Sequence, residues 1–346
     1  MSGRLMVLLV TAIFFVTACG DSDSIAEKPV SMFDHEFETG NSPWTNKPFD
    51  AAADKFTFAV HSDLTGGERE RIFEVAMAQA ALLRPEFIIG VGDLIEGGSD
   101  DRAQLASEWD SFDRRASTAK APVFKVGGNH DLTSVVMQQV WDERYGRRYY
   151  HFVYKNVLFM VLDTEDNLPE RVEEIFVARS RALKEVDEKG WEVFDDTDYA
   201  HMPEQTVGNI SAEQSAYFQQ AIADNADVAW TFLFMHKAAW EKENEQNFAA
   251  VEAALSEQPY TLFHGHLHSY NYQQRHGRDY IRLATTGGVQ SVDGGLSVDH
   301  LTLVTVSNDG VDIANIKLSG ILDKTGKIPL DGGGLCFQMS TCGSTK

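Results

Sequence analysis

The sequence predicts an α/β protein, and three observations carry that prediction. Apolar runs of strand length alternate with a stretch of helical period, the pattern of a βαβ unit. A region rich in Thr and Val with glycine turns, residues 280–318, adds short strands and predicts a second sheet. Finally, five apolar runs end in Asp, Asn or His, so the polar chemistry sits where strands stop.

Taken in order, "FTFAVHSD" (56–63) is the first strand and "ERERIFEVAMAQAALLRP" (68–85) a helix with Phe73, Met77 and Ala80 on one stripe. Arg84-Pro85 stops that helix, because a residue before proline is pushed out of the helical region. "FIIGVGD" (87–93) follows as a strand, and strand–helix–strand order predicts that it pairs in parallel with the first. "VFKVGGNHD" (123–131), "VLFMVLD" (157–163), "WTFLFMH" (230–236) and "YTLFHGH" (260–266) are the later strands. "SAEQSAYFQQAIADN" (211–225) reads as a helix capped by Ser211, with Gln214 three residues on. Residues 165–205 are highly charged, and two readings stand side by side: a solvated helical insertion, or a lid that selects substrate.

At 346 residues and 43% hydrophobic content the chain can bury a large core. Thirty basic against 52 acidic residues give a formal charge of −22, which repels phosphate backbones and excludes non-specific nucleic-acid binding. An anionic substrate would need a local source of positive charge. The chain opens with a basic Arg4, an apolar stretch from Leu5 to Val16, and "VTAC" at 16–19. That stretch is short for a membrane span and reads as an export signal, residues 1–18. "VTAC" resembles a bacterial lipobox, which implies a lipidated Cys19 anchored in the cell envelope. Gly20 after the cysteine favours the outer membrane facing the periplasm. An ordinary signal peptide with a chance cysteine is the other reading. Residues 19–50 are expected to be a tether and arm, 51–322 the folded domain, and 323–346 a C-terminal tail. In an exported chain the tail's Cys336 and Cys342 are expected to form a disulfide.

The chemistry gathers at Asp63, Asp93, Asn129-His130, His236, and His266 with His268, five strand ends that a parallel sheet would bring to one rim. Asp163 ends a sixth run and reads as structural. A zinc finger would use cysteines and a calcium site oxygen alone, so the mixture of carboxylate, amide and imidazole suits Mn, Fe or Zn. Two carboxylates and three or more histidines exceed one tetrahedral site, whereas two ions about 3.5–4 Å apart sharing a carboxylate use them all.

The motifs "SDLT" (62–65), "GDLIEG" (92–97), "GNHD" (128–131), "FMHKAAW" (234–240) and "GHLH" (265–268), in this order, resemble the calcineurin-like metallophosphoesterases, the purple acid phosphatase fold group. The resemblance covers about residues 55–290. It implies a four-layer α/β/β/α sandwich of two mixed β-sheets flanked by helices, holding two divalent ions (Mn, Fe, Zn or Mg). Asp93 would bridge them, with Asn129, His236 and His266 completing one site and Asp63 and His268 the other. His130 would protonate the leaving oxygen or hold the phosphate, oriented by Asp131. The implied reaction is attack of a metal-bound hydroxide on a phosphate mono- or diester, a small molecule or a headgroup. His264, one position before the Gly-His-x-His unit, is expected to support the site or the fold.

One position departs from the family's pattern. Thr65 stands where its first histidine would be, so the Asp63/His268 site keeps few ligands and is expected to bind its ion weakly, or to prefer Mn²⁺ or Mg²⁺. His61 shares the face of Asp63 but lies back along the strand, and is a poor replacement. The competing reading is a non-catalytic metal-binding envelope lipoprotein that keeps the fold. Retention of His130 argues for the enzyme.

Overall fold

The computed structural model describes residues 55–291 and 295–342. The export signal, Cys19 and the arm to residue 50 lie outside them. Strands β1 (Phe56–His61), β2 (Phe87–Val91) and β3 (Val123–Val126) run parallel. Between them lie α1 (Ile72–Leu83) and α2 (Arg102–Ala116). After β3 come a single turn, α3 (Asn129–Leu132), then α4 (Val135–Tyr145), and the antiparallel pair β4 (Tyr150–Tyr154) and β5 (Val157–Val161). The long α5 (Pro169–Lys189) belongs to the charged segment, followed by 3₁₀ turns up to Gln205. The second half runs α6 (Ala212–Asp224), β6 (Trp230–Phe234), α7 (Asn247–Ala254), β7 (Tyr260–His264), then the hairpins β8–β9 (Asn271–Arg275, Arg278–Arg282) and β10–β11 (His300–Ser307, Gly310–Lys317).

These strands make two mixed sheets, ordered β11-β10-β1-β2-β3 and β4-β5-β6-β7-β9-β8. Period-two alternation explains why they stack. From β1, Phe56, Phe58 and Val60 face the other sheet while Ala59 joins the layer packed under the helices. From β5, Val157, Phe159 and Val161 face inward while Leu158 and Met160 pack under α6 and α7. Strands buried on both faces read as continuous apolar runs, which is why the sequence marks them so clearly. Phe58 sits at the centre of the inter-sheet layer, 5.3 Å from the Phe87 ring and 5.0 Å from Phe232. Truncating such a side chain to alanine typically costs about 3–5 kcal/mol. The result is the four-layer α/β/β/α sandwich.

The structure differs from expectation in three places. The strands of 280–318 do not form a sheet of their own: β9 pairs with β7 in one sheet, and the β10–β11 hairpin closes the other by pairing antiparallel with β1. The second sheet is built around β5, β6 and β7 instead. Helix α1 begins at Ile72 rather than 68, because Arg69 is committed elsewhere: its guanidinium grips both oxygens of buried Asp299 at 2.6 and 2.7 Å, and donates to the Cys336 carbonyl. The segment after 322 is no loose tail, since Phe337 is buried against the α1 layer and its carbonyl accepts from Asp299 N–H. Cys336 and Cys342 are joined by a disulfide within it.

His300 is buried, and its Nε2 accepts a hydrogen bond from Ala284 N–H at 3.1 Å, so the ring must be neutral. Burial pushes its pKa down to about 4 from 6.5, against an opposing hydrogen bond to Asn315. The unfolded chain therefore takes up this proton first. Stability present above pH 6.5 drains away as the pH falls toward about 4, at up to about 1.4 kcal/mol per pH unit. In denaturant melts of the chelator-treated protein, His300→Gln, which keeps an acceptor but cannot titrate, is expected to flatten this acid slope by about that amount. An unchanged slope would contradict the assignment.

Candidate metal centre

The parallel strands of both sheets end on the same rim. The loops after β1 and β2 carry Asp63 and Asp93, the helical turn α3 after β3 opens with Asn129-His130, and the loops after β6 and β7 carry His236, His266 and His268. Asp93, His236 and His266 each offer an atom within 4.8 Å of one another, and so do Asp63, Asp93 and His268. Asp93 belongs to both groups. That sharing is the geometry two bridged ions require.

The backbone is bent hard to achieve it. Asp63, Asp93, His266 and His268 all have positive φ, at 53°, 54°, 76° and 53°. Side chains other than glycine rarely adopt this region, and four of the predicted ligands do so at once. The loops also approach too closely for ordinary residues. A Cβ on Gly92, itself at φ 80°, would fall 2.1 Å from His236 Nδ1, and one on Gly128 would fall 2.4 Å from Asp93 Oδ1.

Each of the three imidazoles has one ring nitrogen tied to a backbone carbonyl. His236 Nδ1 donates to Val91 O at 3.0 Å, His266 Nε2 to Gln205 O at 2.8 Å, and His268 Nδ1 to Val289 O. Such bonds fix the tautomer and leave the other nitrogen with a lone pair. For His236 that nitrogen lies 3.2 Å from Asp93 Oδ2, and for His268 it lies 3.4 Å from Asp63 Oδ1. A lone pair facing a carboxylate in a buried site demands a cation between them. Burial alone would lower the His236 imidazole, but the Asp93 carboxylate outweighs it and pushes the pKa up to about 9. In the protein without ions a proton plays the cation, and an ion has to displace it. Asp93 itself is held well below the usual carboxylate range, against its burial, by His236 and His130. Asp63 is pushed up by burial, and also by the Asp93 charge.

Asn129 sits between Gly128 and His130, and the His130 N–H donates to Asp93 Oδ1 at 2.9 Å. The Asn129 amide oxygen is buried with no hydrogen-bond partner among the described residues, which suits a ligand for a cation. His130 stands beside the centre, with Nδ1 bonded to Glu96 O at 2.8 Å. Asp131 does not orient it. Its carboxylate accepts the backbone N–H groups of Leu94, Ile95 and Gly128, so it braces the two loops that present Asp93 and Asn129. His61 turns away from the rim to lie 5.3 Å from the Phe73 ring, and cannot replace a ligand. His264 packs edge-on against Trp240 in the second sheet's helical layer, its pKa pushed down to about 3 by burial first, and by Arg282 and His236. Asp163 is a structural residue, 3.3 Å from the Arg148 guanidinium.

The charged segment reaches the site, which its sequence does not announce. Beyond the Gln205 carbonyl that holds His266, Lys237 is buried between Glu165 Oε1, at 2.9 Å, and Glu204 O, at 2.6 Å. That pair fastens both ends of the segment beside His236. Arg179 on α5 is also buried, with Nη2 3.4 Å from His130 Nε2. A signal for Arg179 was present in the sequence: it falls on the helix's buried stripe with Val172, Ile175 and Ala182.

The family model for calcineurin-like phosphoesterases matches residues 56–282. The chain belongs to that family. No curated protein matches. Among solved structures, a dimetal phosphatase from Danio rerio is similar at 16% identity and a TM-score of 0.51, over 76% of this chain and 96% of that one. A purple acid phosphatase from yellow lupin (Lupinus luteus) seeds is similar at 11% identity and a TM-score of 0.50. There the match covers 78% of this chain and 52% of the lupin protein, so this chain spans about half of its length. These two likenesses speak for the fold, and the family model for the activity: this phosphoesterase is a metal-dependent phosphoester hydrolase. Its donor set fits divalent ions, as the unpartnered Asn129 oxygen and the facing lone pairs require.

Thr65 is buried, and its hydroxyl donates to Ile95 O at 2.8 Å instead of turning toward Asp63. The phosphoesterase thus has a full donor set around Asp93, His236, His266 and Asn129, and a short one at Asp63 and His268. Metal analysis after exhaustive dialysis is expected to find about one tightly held ion per chain, with the second returning only when Mn²⁺ or Mg²⁺ is supplied. Two retained zinc or iron ions per chain would contradict this reading of Thr65.

Proposed function

We propose that this phosphoesterase hydrolyses a phosphate ester of a small molecule or headgroup at the Asp93-centred site, with His130 assisting the leaving group. One observation carries the reading: three imidazoles locked by backbone carbonyls, all aimed at two carboxylates of which Asp93 is common to both clusters. Two divalent ions there would supply Lewis-acid chemistry and a local positive charge on an acidic chain. Asp93 would be shared between them, with Asn129, His236 and His266 holding one and Asp63 and His268 the other.

The chain's own residues do the rest. The backbone N–H of His130 on Asp93 fixes that carboxylate, and Asp131 keeps the two loops in register. The Glu96 carbonyl holds His130 Nδ1–H, so its Nε2 is the atom that passes a proton to the departing oxygen. With a chelator, hydrolysis of aryl phosphates is expected to stop and to resume on adding Mn²⁺. His130→Ala is expected to lose about 100-fold on phenyl phosphate and much less on p-nitrophenyl phosphate, whose leaving group needs little protonation. Equal losses on the two esters, or none, would refute the role of His130.

We further propose that the protein is exported and held in the envelope, at the periplasmic face of the outer membrane, through a lipidated Cys19. The support is "VTAC" at 16–19 behind an apolar stretch, together with the Cys336–Cys342 disulfide, a bond suited to an oxidising compartment. Among the described residues no helix is long and apolar enough to cross a membrane. Mass spectrometry of the mature protein should find diacylglyceryl on an N-terminal Cys19, and Cys19→Ala should release the protein from membranes. A mature chain starting elsewhere would contradict it.

A further inference from the structure

Among the described residues only two Lys or Arg side chains are buried, Lys237 and Arg179. Lys237 has the Glu165 carboxylate at 2.9 Å. Among the described residues Arg179 has no carboxylate within ion-pair distance, and its hydrogen-bonding neighbour there is His130 Nε2 at 3.4 Å. In a chain with 52 acidic residues, a buried guanidinium left without an acid is a conspicuous choice. A guanidinium that sits in the fold without an acid beside it is free to take an anion.

The surroundings make room for it. Gly98 has φ 65°, and a Cβ there would lie 2.6 Å from Arg179 Nη1. Next to it Gly97, at φ 54°, lies so close to the His130 carbonyl that a Cβ would fall 1.9 Å from that oxygen. The Gly97-Gly98 pair therefore follows directly from the Asp93 loop and lets a guanidinium from α5 reach His130. Gly66 also lies close to His130 Nε2, where a Cβ would come within 3.6 Å of that nitrogen and 3.0 Å of His268 Cε1. Arg179 and Gly66 thus both stand next to His130 beside the metal centre. With divalent ions bound, this neighbourhood has a surplus of positive charge, and an oxyanion relieves it.

The chemistry of the anion follows from counting oxygens. A phosphomonoester has three non-bridging oxygens, and a pair of ions held as proposed would neutralise two, leaving one for a further donor. In a diester that third position is an ester oxygen carrying a second substituent, a poor acceptor and a steric burden. We propose that Arg179, delivered by the 165–205 segment, binds the third non-bridging oxygen of a phosphomonoester and so makes this enzyme select monoesters over diesters. The proposal rests on the phosphoesterase reading and narrows its substrate class. It gives the charged segment a role that neither a solvated insertion nor a purely steric lid would have.

Arg179→Met keeps the length of the side chain along the helix stripe and removes the charge. In the Mn²⁺-loaded full chain, it is expected to lower kcat/KM for p-nitrophenyl phosphate by about 30-fold, the size of one charge-assisted hydrogen bond, and that for bis(p-nitrophenyl) phosphate by less than about 3-fold. Inorganic phosphate binding, read by titration calorimetry, is expected to weaken by a similar factor of about 30, while Tm holds. Arg179→Lys, a point charge without the guanidinium fork, should recover part of the phosphate affinity. Parallel losses on monoester and diester, or phosphate binding unchanged in Arg179→Met, would overturn the proposal. Failure of the underlying reading looks different: wild-type protein loaded with Mn²⁺ would be inert on both esters. Arg179 would then stand or fall on phosphate binding alone.

Discussion

A buried carboxylate looking at the lone pair of an imidazole is an arrangement that only a cation can satisfy, and this protein builds it twice around one rim. His236 faces Asp93 and His268 faces Asp63, each ring held by a carbonyl bond on its far nitrogen. Those carbonyl bonds prevent the rings from escaping the conflict by donating a proton of their own. Without ions the protein resolves the conflict with a proton on His236, whose pKa rises to about 9 despite burial. Ion binding and proton release are therefore linked at this site, and ion affinity rises with pH through that range.

Much of the remaining architecture serves to hold those pairs in place. Asp131 ties the β2 and β3 loops together through three backbone bonds. Arg69 and Asp299 tie the start of α1 to the strand that follows the 285–290 loop, whose Val289 carbonyl sets the His268 tautomer. Asp299 also accepts from Gly287 N–H and Thr285 Oγ1, so one buried carboxylate organises that whole loop. The C-terminal segment enters the same network through the carbonyls of Cys336 and Phe337. Positive φ at four predicted ligands shows that these contacts are strong enough to sustain local backbone strain.

The charged segment links specificity to that framework. It is fastened by Lys237 between Glu165 and Glu204, and by Arg171 on Glu204, and it touches the centre at two points: the Gln205 carbonyl on His266 and the Arg179 guanidinium at His130. A formal charge of −22 leaves the protein surface hostile to phosphate at long range, so local cations have to do the attracting. In this fold they come from the ions held at the strand ends and from one arginine pushed in from outside the two sheets.

By itself the sequence determined the α/β class, the continuous apolar strands, the parallel β1–β2 pair and the strand-end positions of Asp63, Asp93, Asn129, His130, His236, His266 and His268. Those are local signals: burial on both faces writes an unbroken apolar run, and a loop that must bend sharply writes glycine beside the polar residue. Sheet membership was not local. Residues 280–318 were legible as strands, but β9 pairs with nearby β7 and β8 in one sheet, while β10 takes the edge of β1 from the far end of the chain in the other. Asp131 reads as a partner of His130 because it adjoins it in the chain, whereas its oxygens follow the backbone N–H groups that folding brings near. Only tertiary structure put Arg179 beside His130, turned Thr65 onto the Ile95 carbonyl and aimed His61 at Phe73. Spacing along the chain marks which residues are buried, but which partner each buried residue meets across space is decided by the packing of distant segments.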